Sequence, residues 1–217
     1  MRTLPQLIEK LRSPDNLVVV DAVEELRARG WLESGALAGI NLGYVHLQNA
    51  DLFRANLSGV DLRQADLRWA NLSLANLGSA RLARANLSQA DFSQADLRGA
   101  DLFKANLRKA RHLTADLRGA DLFKANLRKA RHLTADQLAQ TARLRGAIMQ
   151  DGCHYDGCFD LPGDGDFFGS TGAEPERDAA PVPTGGQGDT RFLDADPDDP
   201  AARINLYVSS MDDFLRG

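Results

Sequence analysis

Apolar residues recur at every fifth position through the middle of the chain. From Leu42 to His132 this position, here called the centre of a pentad, is leucine in sixteen of nineteen cases. The exceptions are Phe92, His112 and His132. The apolar centres are expected to form the structural core: Leu42, Leu47, Leu52, Leu57, Leu62, Leu67, Leu72, Leu77, Leu82, Leu87, Phe92, Leu97, Leu102, Leu107, Leu117, Leu122 and Leu127.

A second apolar position lies two residues before each centre. It is alanine in seventeen of eighteen pentads from Ala50 to Ala135, with Val60 as the exception. A period of five suits neither an amphipathic helix nor a straight strand. Residues two apart point to the same side of an extended chain, so the Asp or Asn between them points outward. One bend per pentad then keeps the apolar side inward, which predicts a solenoid whose short strands pair about 4.8 Å apart.

The length of one coil is indicated by an internal duplication. Residues 95–116 and 115–136 are identical throughout, and the second block begins twenty positions after the first. A duplication of whole coils preserves the stacking, so this offset, which equals four pentads, predicts a coil with four sides. The alternative is that the duplication ignores coil boundaries.

The pattern Ala-(Asp/Asn)-Leu-X-X resembles the pentapeptide-repeat family over about residues 37–136. This resemblance implies an all-β solenoid, a right-handed quadrilateral parallel β-helix, here of about five coils with α-helical N- and C-terminal caps. It also implies that some relatives mimic DNA and bind a type II topoisomerase. Such mimicry needs a negative surface, whereas residues 37–136 hold 15 basic and 9 acidic residues, a net charge of +6.

Residues 1–36 are predicted to form the N-terminal helical cap. Helices are expected over 3–12 and 14–29, with Ser13 as the N-cap of the second helix and Pro14 in its first position.

The second predicted helix is expected to be stopped by Gly30, because glycine often follows a helix C-terminus. Its apolar residues, expected to cover the first coil, are Leu17, Val20, Val23 and Leu26.

Residues 137–162 are predicted to form a C-terminal cap of one helix and an irregular segment. Thr134 and Gln137 have the spacing of a capping box, which opens a helix expected to reach about Leu144. Residues 145–161 are expected to pack irregularly against the wall of the solenoid.

Two histidines occupy centres, where a polar side chain is costly. The favoured interpretation is that His112 is a copy of His132, tolerated by a local bulge that lets Leu113 share the interior. It predicts that His112→Leu stabilises the protein. The competing interpretation is a metal or proton site formed by both histidines, which lacks a converging carboxylate or thiolate.

Positions separated by one coil are expected to stack into charged faces. The candidate interaction face holds Arg68, Trp69, Arg108, Lys109, Arg128 and Lys129. An adjoining face holds Arg84, Lys104 and Lys124 with Phe103 and Phe123, and an acidic row holds Asp96, Asp116 and Asp136. The functional interpretation is an anionic partner. The alternative is a solvated face whose charge follows from repetition alone.

The C-terminal part of the chain is acidic, with 6 basic and 15 acidic residues in 137–217. Residues 163–202 are rich in Gly, Pro, Asp and Ala and are predicted to be a disordered acidic linker. Residues 203–217 are predicted to be a short segment with a helix. Cys153 and Cys158 are expected to be incidental reduced thiols, because a zinc site needs more ligands.

The sequence contains no evident nucleophile–base pair, phosphate-binding loop or carboxylate dyad. We therefore expect no catalytic, cofactor-binding or metal-binding residues and no cofactor. The expected function is a non-enzymatic scaffold for a macromolecular partner, a protein being the expected one. The alternatives are nucleic acid or another polyanion on the basic face and, against the charge, topoisomerase modulation. Without a signal peptide or an apolar run of membrane-spanning length, a cytoplasmic location without membrane contact is expected.

Overall fold

The computed structural model describes residues 2–155. It contains three helices, α1 (Leu4–Leu11), α2 (Asn16–Ala28) and α3 (Ala135–Leu138). Between α2 and α3 the chain winds as a β-solenoid, held by isolated parallel bridges that run from Asn41↔Asp61 to Asn106↔Asn126. The predicted linker 163–202, the segment 203–217 and Cys158 lie outside the described residues.

Each pentad is hydrogen-bonded to the coils before and after it. Leu47 N donates to Asp66 O at 2.7 Å, and Asp66 N donates to Val45 O at 2.9 Å. Within the pentad, Ala50 N donates to Leu47 O at 3.1 Å, which closes a tight turn. From Asn41↔Asp61 to Asn106↔Asn126 the bridged residues are twenty apart, so one coil contains four pentads.

Where the outward residue of a pentad is Asp or Asn, its side chain stabilises the turn that follows it. Asp66 Oδ1 accepts the Arg68 backbone N–H at 3.2 Å, and Asn106 Oδ1 accepts the Arg108 N–H at 3.1 Å. The last turn residue adopts a positive φ, as at Trp69 with φ +58°. A non-glycine residue there costs roughly 1–2 kcal/mol, which the packing of the interior and the bonds between coils offset.

The interior of the solenoid is filled by the centres and the alanines. All seventeen apolar centres named above are at most 3% exposed, and Val60 is fully buried among the alanines. Each buried leucine contributes about 1.5–3 kcal/mol. The small alanines leave room for the leucines along the axis of a narrow coil.

The pentad at 110–114 departs from the predicted pattern. Leu113, 1% exposed, occupies the interior, and the His112 side chain is 53% exposed. The prediction that both side chains share the interior is wrong, because Leu113 replaces His112 there. The bridges at Arg111 and Asp116 keep their spacing of five, so no extra residue forms a β-bulge. The turn is lost, and Thr114 Oγ1 accepts the Gln94 N–H at 3.0 Å.

The second copy of this pentad behaves in the same way, since Leu133 is buried and His132 is exposed. The assignment of His112 and His132 as centres is therefore wrong. Burying an imidazole in the apolar interior is costly. The neighbouring leucine fills the interior in its place, and the loss of one turn is the smaller cost. The predicted stabilisation by His112→Leu has lost its basis, since the new leucine would be exposed.

α2 begins later than the sequence suggested. Its N-cap is Asp15, whose Oδ1 accepts the Leu17 N–H at 2.9 Å. Ser13 accepts the Asp15 N–H at 3.1 Å, so the assignment of Ser13 and Pro14 to the start of the helix is wrong. The aspartate is the residue that satisfies the open end of α2.

The predicted role of Gly30 as the stop after the second helix is confirmed, and α2 itself ends at Ala28. Gly30 has φ +69°, its N–H donates to Arg27 O at 2.8 Å, and Trp31 N donates to Leu26 O at 2.9 Å. These two bonds form a Schellman motif, in which the positive φ favours glycine.

The buried face of α2 is partly different from the prediction. Leu17 is 78% exposed, whereas Val19 and Ala22 are fully buried. The expectation that Leu17 covers the first coil is wrong, because the buried stripe begins at Val19. From α2, Arg27 Nη2 donates to Asp51 O at 2.6 Å, and Asn16 Nδ2 donates to Gln48 O at 3.2 Å, so both side chains contact the backbone of the solenoid.

At the other end, the capping box of Thr134 and Gln137 is confirmed by the Thr134 N–H donating to Gln137 Oε1 at 2.9 Å. α3 ends at Leu138, however, so the predicted extension of the helix to Leu144 is wrong. The chain returns to the solenoid through the parallel bridges Asp121↔Arg143 and Asn126↔Ile148, whose partners are twenty-two positions apart. Leu144 is fully buried there, and α3 accommodates the two extra residues.

None of the helices within residues 2–155 is long and apolar enough to cross a membrane.

Candidate interaction surface

Four pentads stack into one side of the solenoid through the bridges Asp66↔Asn86, Asn86↔Asn106 and Asn106↔Asn126. We call this side the 65–129 face; it consists of pentads 65–69, 85–89, 105–109 and 125–129. The register places the six predicted residues of the candidate face on this one side, in two adjacent columns: Arg68, Arg108 and Arg128, and Trp69, Lys109 and Lys129.

The N-terminal end of the 65–129 face is electrically compensated. Arg68 Nη2 lies 2.8 Å from Asp66 Oδ2, and Arg68 Nε lies 2.9 Å from Asp66 Oδ1. These bonds to the carboxylate raise the pKa of Arg68. The guanidinium carbon lies 5.2 Å from the centroid of the Trp69 ring, which is 42% exposed. Arg68 is thus held by its own pentad, beside an accessible indole.

The later pentads of the same face have asparagine where the first has Asp66. Pentads 85–89, 105–109 and 125–129 contain no Asp or Glu, and the last two each read Ala-Asn-Leu-Arg-Lys. The amides bond along the axis, with Asn106 Nδ2 donating to Asn86 Oδ1 at 3.3 Å. Positive charge is therefore concentrated in the last two pentads of the face, a difference between its two ends that the columns of cations alone do not reveal.

Pentads 95–99 and 115–119 belong to the same two coils as the positive pentads 105–109 and 125–129. Unlike those pentads, each of them contains an aspartate beside its arginine. Asp96 Oδ2 lies 2.6 Å from Arg98 Nη2, and Asp116 Oδ2 lies 2.5 Å from Arg118 Nη2. The arginine donors lower the pKa of both carboxyl groups. The predicted acidic row holds for these two residues, but Asp136 belongs to α3, so its inclusion was wrong.

The aromatic residues of the adjoining face stack on each other. The Phe103 and Phe123 rings stack with centroids 5.8 Å apart, and Phe103 is 2% exposed. Lys104 Nζ lies 5.3 Å from the centroid of the Phe103 ring, and Arg143 Cζ lies 4.4 Å from that of Phe123. Cations thus cover this aromatic pair.

The two histidines lie together on the outside of the solenoid. Their rings stack with centroids 5.2 Å apart, and His112 Nδ1 lies 3.0 Å from Asp91 Oδ2. Burial raises the pKa of Asp91, but hydrogen bonds from Ser93 and His112 outweigh it, so the pKa is lowered. Sequence reasoning missed this carboxylate, although the register of twenty puts Asp91 beside Arg111 and hence near His112.

The chemistry open to this histidine pair is limited by its surroundings. The Ser93 hydroxyl donates to Asp91 Oδ1 at 2.6 Å, and Thr114 Oγ1 accepts the Gln94 N–H. Neither bond is one between a nucleophile and the imidazole. Within residues 2–155 no group of three or more His, Cys, Asp or Glu side chains is arranged to hold a metal ion. Cys153 is an exposed free thiol.

Comparison with known proteins relates these coils to one family. The model of pentapeptide repeats matches in eight copies, over residues 36–68, 70–108 and 100–131. No curated protein matches the chain significantly.

Solved structures of pentapeptide repeat proteins are similar to the chain. HetL from the cyanobacterium Nostoc sp. strain PCC 7120, involved in heterocyst differentiation regulation, is 33% identical, with a TM-score of 0.37 over 55% of this chain and 61% of HetL. The chain thus spans less than two thirds of HetL. A second protein of Nostoc PCC 7120 is 38% identical, with a TM-score of 0.39 over 49% of this chain and 79% of that one. A protein from the thylakoid lumen of Arabidopsis thaliana is 27% identical, with a TM-score of 0.31 over 55% and 87%.

Proposed function

Because the chain belongs to the pentapeptide-repeat family, we propose that it is a non-enzymatic scaffold that binds a macromolecular partner through the outer surface of its solenoid. The 65–129 face is the surface that we assign to this contact. The cytoplasmic location expected from the sequence stays a prediction.

The observation that supports the proposal is the division of roles within each pentad. The centre and the alanine are buried in coil after coil, whereas the outward positions differ freely. One outer column reads Tyr44, Gln64, Arg84, Lys104 and Lys124. A fold that keeps its interior constant and varies its surface suits recognition of a partner, as in other solenoids.

The finer architecture belongs to the same proposal. We propose a right-handed, four-sided β-helix of about five coils, with α1 and α2 capping one end and α3 at the other. The supporting observations are the register of twenty and the contacts of Arg27 and Asn16 with the backbone of residues 48–53. A covered end prevents the open edge of a coil from pairing with another chain.

Affinity capture at low salt tests the scaffold function. The full chain is compared with Arg108→Gln/Arg128→Gln and with the matched control Arg98→Gln/Arg118→Gln, which changes the same two coils at pentads 95–99 and 115–119. Circular dichroism first establishes that all three baits fold. We expect the wild type and the control to retain a common macromolecule that the first variant loses. If no bait retains any macromolecule beyond the level of a blank resin, the proposal is wrong.

Two alternatives remain from the sequence. Binding of a polyanion is favoured by the concentration of Arg and Lys in pentads 105–109 and 125–129. Topoisomerase modulation by DNA mimicry is disfavoured by the net charge of +6 on residues 37–136. A supercoiling assay with the purified chain would detect such modulation.

A further inference from the structure

The turn of the pentad can be stabilised by a neutral or by a negatively charged side chain. Asn86, Asn106 and Asn126 accept the backbone N–H two residues later at 3.2, 3.1 and 3.0 Å. Asp66 and Asp96 accept the equivalent N–H at 3.2 and 3.0 Å. An amide and a carboxylate therefore perform the same structural task, and what differs between them is the charge that they place on the face.

On the 65–129 face three successive coils have asparagine at this position, Asn86, Asn106 and Asn126. The result is four cations in two consecutive coils, Arg108, Lys109, Arg128 and Lys129, in pentads without a carboxylate. Equivalent side chains of adjacent coils are separated by about 4.8 Å. The cations therefore form a compact positive patch along the axis of the solenoid, of the kind that binds phosphate groups.

An aromatic ring lies on the same face, in the same column as the two lysines. Trp69 is 42% exposed, and Arg68 stacks on it at 5.2 Å. The register places Trp69 two coils from Lys109, or about 10 Å along the axis. Ser88 and Gln89, which can hydrogen-bond to a phosphate or a base, lie between them.

Resting on the scaffold function proposed above, we infer that the 65–129 face binds a single-stranded nucleic acid. The four cations contact its phosphates, and the Trp69 indole stacks on a base. An acidic peptide would satisfy the cations but offers no base to the indole. A duplex keeps its base faces covered, and the wall of short turns has no helix or ribbon that enters a groove.

Fluorescence anisotropy with a labelled single-stranded 20-mer and the full chain tests this inference. Four phosphate contacts predict that the logarithm of the affinity falls with that of the salt concentration with a slope of about −3. A duplex of the same sequence and poly-glutamate serve as competitors. Base stacking on Trp69 is also expected to quench tryptophan fluorescence, a signal that Trp69→Leu removes.

The variants follow from the equivalence of amide and carboxylate in the turn. Asn106→Asp/Asn126→Asp keeps both turn bonds and places a carboxylate in the same pentad as Arg108 and Arg128, as Asp96 and Asp116 are placed beside Arg98 and Arg118. Losing two phosphate contacts reduces the slope to about −1.4 and the affinity roughly 70-fold at 50 mM salt.

The matched control is Asn56→Asp/Asn76→Asp, which adds the same charge in pentads 55–59 and 75–79 and is expected to leave the affinity unchanged. Trp69→Leu is expected to weaken binding roughly 5- to 150-fold. If a variant misfolds by circular dichroism, Arg108→Gln/Arg128→Gln replaces it in the comparison.

The inference is overturned if both Asn→Asp variants bind equally, if Trp69→Leu binds as the wild type does, or if the duplex or poly-glutamate competes as well as the single strand. Its failure differs from failure of the scaffold function. If the 65–129 face retains an acidic protein and no oligonucleotide, the scaffold function stands and the nucleic-acid inference falls. If neither kind of macromolecule binds, both are wrong.

Discussion

Replacing Leu113 or its neighbour His112 with alanine tests which residue of the 110–114 pentad supports the core. The sequence period assigns the interior to His112, and the structure assigns it to Leu113, which is 1% exposed. We expect Leu113→Ala to destabilise the protein strongly and His112→Ala to change its stability little. The two substitutions are adjacent, so they share the same local backbone and the same distance from the ends of the solenoid.

The magnitudes follow from burial. A buried Leu→Ala change costs about 2.7–5.0 kcal/mol, and the larger values apply where the cavity cannot collapse. The neighbouring wall positions are alanines, which have no side chains long enough to fill the space. His112→Ala removes a half-exposed contact with Asp91 and the stack on His132, which is expected to cost below about 1 kcal/mol.

Thermal and urea denaturation of the full chain at pH 7, followed by far-ultraviolet circular dichroism, measure both effects. For a chain of this length each kcal/mol shifts Tm by about 2–4 °C. Leu113→Ala should therefore lower Tm by about 5 to 20 °C, and His112→Ala by no more than about 4 °C. An equal or greater loss in His112→Ala would refute the assignment of Leu113 to the interior.

Two further predictions concern polar groups of the solenoid. Gln137→Glu should lower the free energy of unfolding by about 1–3 kcal/mol in urea denaturation, because a carboxylate cannot donate to the carbonyl oxygens of Leu113 and Ala115, which Gln137 Nε2 contacts at 3.1 and 2.7 Å; an unchanged midpoint would contradict this role. Burial raises the pKa of Asp61, but the Arg63 donors outweigh it and lower that pKa, so stability present above pH about 3.9 should be lost as the pH falls through the lowered value. Asp61→Asn should flatten this part of a plot of Tm against pH between 7 and 2, and the same slope in both proteins would rule out the ion pair as its cause.

Much of the fold follows from the sequence because its pattern is strictly repeated. Leucine and alanine at fixed positions of each pentad define the interior, and the duplicated block gives the register of twenty. The pentad at 110–114 was predicted wrongly because the five-residue period assigns the same position of every pentad to the interior. There the cost of burying an imidazole exceeds the cost of losing a turn, so Leu113 takes the interior position of His112 while the register on either side is kept.

The ends of the solenoid were harder to predict because tertiary contacts decide them. Ser13 and Asp15 are both good helix caps, and the position at which α2 packs selects Asp15. Thr134 marks where α3 begins, but its end at Leu138 is set by the return of Arg143 to pair with Asp121.

The candidate face illustrates the same limit at the level of charge. The columns of Arg68, Arg108 and Arg128 follow from the register alone. Their difference follows only once the turn geometry shows that the residue two before each arginine lies next to it. Asp66 then holds Arg68 in an ion pair, whereas Asn106 and Asn126 contribute no charge.

The length of the regular solenoid is set by the number of its four-pentad blocks. Each block of four pentads adds one layer of about 4.8 Å and repeats the hydrogen bonds of the layer before it. Adding or removing one block would therefore move α3 away from α2 or toward it by one layer, without altering the cross-section of the solenoid. The bridges Asp121↔Arg143 and Asn126↔Ile148 have a longer offset and end this regular spacing. The part of the solenoid that could be lengthened or shortened in this way therefore lies before α3.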